Sequence, residues 1–202
     1  MIIFLLIFAS YLIGALPFGL LIGKLAGADV RKEGSGNIGA TNVSRVLGKK
    51  LGAATLCCDV LKSYLPMFVA NAILSGPRVT LWVAICGLAA VLGHIFPVYL
   101  KFKGGKGVAS ALGMFLFLSP TAVGLVLLCF LATVGCSGFV SLGSLVAATA
   151  MPFMLWLCAE PLSKIKIIVC LPVVALIWFK HRENIARLRR GEEKSWRRPE
   201  KD

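Results

Sequence analysis

Long apolar stretches alternate with short polar ones along this chain, and the apolar stretches fall at 2–23, 54–74, 79–100, 107–118, 121–135, 139–158 and 165–179. About 20 consecutive apolar residues cross the hydrocarbon core of a bilayer as a helix, and four of the runs reach that length unaided. The first run has no basic segment before it and no A-x-A cleavage site after it, so it reads as a retained span and not as a signal peptide. The last is short but extends through Trp178 toward Lys180. The stretch 107–135 fits one steeply tilted helix or two short ones broken at Ser119-Pro120.

Charge placement decides between these two. Of the 22 Lys and Arg, six lie in 24–50, three in 101–106 and nine in 180–202. If 107–135 enters the membrane twice, all three basic clusters share one side, as cytoplasmic loops do; if it crosses once, the basic tail falls on the wrong side. The expectation is therefore an all-α, polytopic membrane bundle of seven membrane-embedded helices, amino terminus outside and carboxyl terminus cytoplasmic. It reads as one domain over 1–202, with 179–202 a basic amphipathic tail. Short helices at membrane depth are tolerated where they line a cavity, which marks 107–135 as a cavity wall.

Composition agrees: 58% apolar and 15% charged residues exclude a soluble globule and a disordered chain. The net charge of +13 raises nucleic acid as a partner, but basic segments alternating with apolar blocks fit a bilayer protein far better, and no nucleic acid is expected. Seven cysteines, at 57, 58, 86, 129, 136, 158 and 170, sit in or beside apolar runs without a C-x-x-C pair. They read as packing residues, and no metal or cofactor is expected.

Three polar segments carry the chemistry. The first, Gly34-Ser35-Gly36-Asn37-Ile38-Gly39-Ala40-Thr41-Asn42-Val43-Ser44-Arg45, is dense in glycine, hydroxyl and amide groups. Glycines let backbone N–H groups converge, the side chains add donors, and Arg45 supplies a planar fork for phosphate. Its G-x-G-x-x-G is no dinucleotide fingerprint, because no βαβ context surrounds it. A flexible polar loop would explain the Gly and Ser but not Asn37, Thr41, Asn42 and Arg45.

The second is Lys103-Gly104-Gly105-Lys106-Gly107, where one apolar run ends and a short helix begins. Glycine and lysine at a helix amino terminus suit an anion. It is not a Walker A loop, which would need Gly at 100 and Ser or Thr at 107 where this chain has Leu100 and Gly107. The third is Lys180 to Leu188, where His181, Asn184 and Leu188 recur at helical spacing on one face of a surface helix that also contains Glu183. Within the membrane, Asp59 and Lys62 lie three apart, able to neutralise each other or brace the bundle, and Ser141 and Ser144 share a face. His94 reads as a packing or interfacial histidine.

The motifs S-G-N-x-G-A-T-N-x-x-R at Ser35 to Arg45, G-G-K-G-V-A at Gly104 to Ala109 and H-R-x-N-I-x-R-L-x-x-G-x-E at His181 to Glu193 closely resemble those of the bacterial membrane acyl-phosphate:glycerol-3-phosphate acyltransferases, the PlsY type. Asp59-x-x-Lys62, Gly93-His94-x-Phe96-Pro97 and Ser141-Leu142 are similar too, and the resemblance runs from the first span to the tail. Ser63 stands where the family pattern has Gly, and Ser110 where it has Thr. The H-x-x-x-x-D dyad of the other glycerolipid acyltransferases is missing, since Tyr99 and Ala186 occupy the acid positions after His94 and His181.

The resemblance implies transfer of a fatty acyl group from acyl phosphate to the 1-hydroxyl of glycerol 3-phosphate, giving lysophosphatidic acid and inorganic phosphate at the inner membrane. The active site would face the cytoplasm, without acyl-CoA, and a soluble enzyme that makes the acyl phosphate is a possible partner. Ser35, Lys106, His181 and Asn184 are the expected catalytic residues. Gly36, Asn37, Thr41, Asn42, Arg45, Gly104, Gly105, Gly107, Ser141 and Glu183 are the expected substrate-binding ones. Two routes for the proton stay open, to His181 or to the leaving phosphate, and a covalent acyl-Ser35 is the second mechanism. A carrier for a phosphorylated metabolite explains bundle and charge equally, but needs a site near the midplane, whereas all three motifs fall on one side.

Overall fold

The computed structural model describes residues 1–158 and 163–197; Arg198 and the rest of the expected tail to 202 lie outside the described residues. The described chain is helical, and it divides into two compact units at Leu118 and Ser119. No composition change accompanies this division; the sequence marks it only by Ser119-Pro120, where Pro120 opens a new helix that needs no N–H from it.

The first unit holds α1 (Ile2–Gly14), α2 (Phe18–Leu25), α3 (Ala40–Leu47), α4 (Lys49–Ile73), α5 (Val79–Ile95) and α6 (Val108–Leu118). The first apolar run is thus two helices and not one, because Pro17 has no N–H to continue the ladder and stands at the start of α2. The long helix α4 is central and packs on every other helix of the unit. Helices α1 and α5 meet backbone to backbone: a Cβ at Gly14 would overlap Ala90, and one at Gly93 would overlap Tyr11 and Ala15. Small residues at such crossings are the membrane substitute for a hydrophobic drive that lipid does not supply.

The second unit holds α7 (Pro120–Ser137), α8 (Val140–Leu157), α9 (Ser163–Lys180) and α10 (Arg182–Arg190). Helix α8 packs between α7 and α9, and α10 lies against the end of α9. Among the described residues, five segments are long and apolar enough to cross a membrane: Ile2–Leu25, Lys49–Ile73, Val79–Leu100, Pro120–Ser137 and Val140–Leu157. Helix α6 is shorter, and α9 carries Lys164, Lys166 and Lys180.

Surfaces and hydroxyls suit a lipid solvent. Phe4, Phe8, Phe68, Leu128, Phe153 and Trp156 are exposed. Ser10, Thr55, Thr133, Ser144 and Thr149 each donate to the carbonyl four residues earlier, at 2.7–2.9 Å, so no helical hydroxyl among them demands a distant partner.

Candidate functional site

Between α2 and α3 the polar loop lies over an apolar button of Leu20, Val30, Ile38 and Val43, with Leu47, Leu51 and Leu100 packed against it. Burying Val30 and Ile38 anchors an otherwise hydrophilic segment at two points. Asn42 of α3 supplies the third: its Oδ1 accepts from Ser35 N–H at 2.7 Å, and its Nδ2 donates to the carbonyls of Val30 at 2.8 Å and Glu33 at 3.2 Å. Gly34 and Gly36, at φ +59° and +70°, let the chain reverse around Ser35.

Asn42 is 2% exposed and wholly engaged within the loop. It is a staple that holds the loop around Ser35. Asn37 likewise accepts from Gly39 N–H at 2.9 Å, so its Oδ1 shapes the start of α3. Ser35, Gly36 and Thr41 remain exposed, and Arg45 is half-buried one turn after Thr41 on the same helix. At the loop's outer edge Arg31 grips Asp29, Nη2 to Oδ2 at 2.6 Å. That guanidinium holds the Asp29 carboxyl well below the usual carboxylate range.

The glycine-lysine loop folds back on the end of α5. Lys101 and Phe102 adopt left-handed backbone, at φ +51° and +62°, a conformation rare for residues with side chains and concentrated at functional turns. Gly104 N–H then donates to Ile95 O at 3.3 Å, and Gly105 N–H to His94 O at 3.1 Å. A Cβ at Gly104 would overlap His94 O and Pro97, and one at Gly105 would overlap the His94 imidazole. These two glycines therefore permit close packing, and their N–H groups are spent on α5. Both glycines, expected to bind substrate, are thus held against the end of α5. Half-buried Lys106 follows, and after Gly107 comes the first turn of α6, whose N–H groups have no carbonyl of their own helix to meet.

In the second unit, Gly191 at φ +73° ends α10 and turns the chain back, so that Glu193 reaches α8 and α10 together. Its Oε1 accepts from Ser141 Oγ at 2.7 Å and Asn184 Nδ2 at 2.6 Å, and its Oε2 accepts from Arg187 Nε at 2.7 Å. Burial pushes this carboxyl up, but the bonds from Ser141, Asn184 and Arg187 outweigh burial and hold it below its ordinary value. Ser141 and Asn184 are thus brought together. Ser144, expected on Ser141's face, bonds to Val140 O in its own helix instead.

His181 is 2% exposed at the start of α10. Its Nδ1 lies 2.8 Å from Ile177 O; a carbonyl only accepts, so Nδ1 carries the proton and, in the neutral ring, Nε2 carries the basic lone pair. Glu183, expected to bind substrate, is exposed and outside this cluster, which is built on Glu193 instead. Arg187 and Glu193 stand in the third motif but were given no role there; the signal for the hub was Gly191, since a glycine just past a helix brings the following residues back along it.

The comparisons with known proteins agree with one another. The family model for glycerol-3-phosphate acyltransferase matches residues 4–191. A glycerol-3-phosphate acyltransferase of Desulfotalea psychrophila is 61% identical over 190 residues, covering 94% of this chain and 95% of the relative. One of Geotalea daltonii is 48% identical over 193 residues, covering 96% and 97%. The crystal structure of PlsY (YgiH), an integral membrane glycerol 3-phosphate acyltransferase, in its glycerol 3-phosphate form superposes with TM-score 0.89 at 38% identity, covering 97% of this chain and 96% of that one. Its lysophosphatidic acid form gives 0.87 at 38% identity, covering 96% and 95%.

Proposed function

Because the chain belongs to the glycerol-3-phosphate acyltransferase family, we propose that it transfers a fatty acyl group from acyl phosphate to the 1-hydroxyl of glycerol 3-phosphate, releasing lysophosphatidic acid and inorganic phosphate as the first step of phospholipid biosynthesis. The observation that carries this reading is the likeness, over nearly the whole chain, to an enzyme solved with glycerol 3-phosphate and with lysophosphatidic acid. The choice of acyl phosphate as donor rests on the resemblance of the three motifs and on the missing H-x-x-x-x-D dyad.

Both substrates carry phosphate, so binding and catalysis need fixed cations and N–H donors. In the first unit, exposed Ser35 and Gly36, Thr41 with Arg45, and Lys106 with the start of α6 supply them. Ser35 holds the acyl carbonyl or the donor phosphate; Arg45 and Lys106 neutralise phosphate charge. In the second unit His181 and Asn184 orient glycerol 3-phosphate, Asn184 being held by Glu193.

The hydroxyl oxygen attacks the acyl carbonyl carbon, the bond from that carbon to the phosphate oxygen breaks, and phosphate leaves. The hydroxyl proton passes to the departing phosphate, a base already beside it; Nε2 of His181 is the alternative acceptor. The protein is a multi-pass membrane protein. We place it in the inner membrane with seven embedded helices and its polar loops cytoplasmic, where a soluble enzyme would deliver the donor.

Phosphate release by the purified chain tests the reading, with palmitoyl phosphate given with and without glycerol 3-phosphate and palmitoyl-CoA as a parallel donor. Acceptor-dependent release with lysophosphatidic acid formed, and no use of the CoA ester, is expected. Silence with palmitoyl phosphate from a folded preparation rejects it.

A further inference from the structure

The mechanism above gives three buried ionisable side chains of the first unit no role. Lys62 Nζ lies 2.8 Å from Asp59 Oδ1 across one turn of α4, each side chain 2% exposed, and His94 Nδ1 lies 3.6 Å from the same oxygen. Charges buried this deeply in an apolar bundle are expensive, and a well-packed apolar pair commonly braces helices as firmly. A brace alone therefore leaves the charges unaccounted for.

The contacts lead toward the glycine-lysine loop. Lys62 Nζ also donates to Leu16 O at 2.8 Å, in the break between α1 and α2, so the lysine is tethered from two sides. Ser110 of α6 donates to the Asp59 carbonyl at 3.3 Å. His94 sits in the last turn of α5, and Gly105 rests on its imidazole so closely that any side chain at 105 would overlap the ring. The ring is thus the floor of the loop, and the carboxylate beside it belongs to Asp59. Lys106 and the start of α6 follow directly.

We propose that Asp59 is a positioning residue for the 103–107 loop: tethered by Lys62, it fixes the His94 ring on which Gly105 rests, and so fixes where Lys106 and the first turn of α6 meet a substrate phosphate. This rests on the reading above that the loop binds phosphate. It is also what distinguishes Asp59 from a residue that merely stabilises α4, since the effect must pass through His94.

The full chain in detergent provides the test. Asp59→Asn with Lys62→Met removes both charges and strands neither. Amide exchange of the 103–107 segment should then rise about 10-fold while α4 and α5 stay protected, and KM for palmitoyl phosphate should rise about 10-fold with kcat changed less than about 3-fold. Unchanged exchange at Gly104 and Gly105 overturns the proposal, as does a wild-type KM beside a loosened loop. In a His94→Ala background the same double change should add nothing further to KM; additive effects overturn positioning through the ring. Lys106→Ala in the otherwise native chain checks the underlying reading separately: an unchanged KM rejects phosphate binding by the loop, whatever the exchange data say about Asp59.

Discussion

Asn42 in the first unit and Glu193 in the second each tie a polar segment to the helices behind it, one with a neutral amide and the other with an ionised carboxylate. The amide both donates and accepts, so it closes a loop that offers it an N–H from Ser35 and carbonyls from Val30 and Glu33. The carboxylate only accepts, so it gathers donors: a hydroxyl, an amide and a guanidinium. The first staple is insensitive to pH. The second is not, and it sets functional side chains such as Asn184 by way of a charge.

Removing either staple should expose this difference. Asn42→Ala should have the largest effect, because it leaves Ser35 N–H and the Val30 carbonyl without their bonds; about 2–3 kcal/mol of stability and most of the turnover should go, read by thermal unfolding in detergent and by phosphate release. The loss should be the same at pH 5 and pH 8.

Glu193→Gln keeps the shape and an acceptor for Ser141 and Asn184 but loses the charge facing Arg187. About 1–2 kcal/mol is expected, the low side because Arg187 is 28% exposed, with a raised KM for glycerol 3-phosphate. The sign of its pH dependence follows from the lowered pKa. In the wild type the ionised hub stabilises fully above the ordinary carboxyl value of 4.5 and loses that contribution as pH falls through the lower folded value. Thermal stability should therefore fall more steeply below pH 4.5 in the wild type than in Glu193→Gln; parallel curves would mean that Glu193 is not the acid-sensitive group. Glu183→Gln, on an exposed position of α10, should change stability by less than about 0.5 kcal/mol and leave both KM values alone. A raised KM there would give Glu183 the substrate-binding role expected from the sequence.

Much of this architecture was legible before any coordinates. Five of the seven apolar runs match segments long and apolar enough to cross a membrane, Ser119-Pro120 marked the break before α7, and the spacing of His181, Asn184 and Leu188 announced α10. Less legible was what each polar residue does. Glycine beside lysine has two explanations, backbone N–H presentation and close packing, and only the position of His94 shows that packing demands glycine at 104 and 105. Glu183 drew attention by standing between His181 and Asn184, whereas the carboxylate that meets Asn184 arrives through the turn at Gly191. Asp59 and Lys62 were readable as a pair because they share a helix; His94, on another helix, was not.

The sequence by itself determined the membrane character, the helices, most of their ends and the three polar segments, because hydrophobic periodicity and the backbone limits of proline and glycine act over a few neighbouring residues. Tertiary structure alone decided which polar groups pair with one another. A hydrogen bond satisfies one partner at one distance and direction, and for Asn42, Gly105 and Glu193 that partner comes from a part of the chain that only folding brings near.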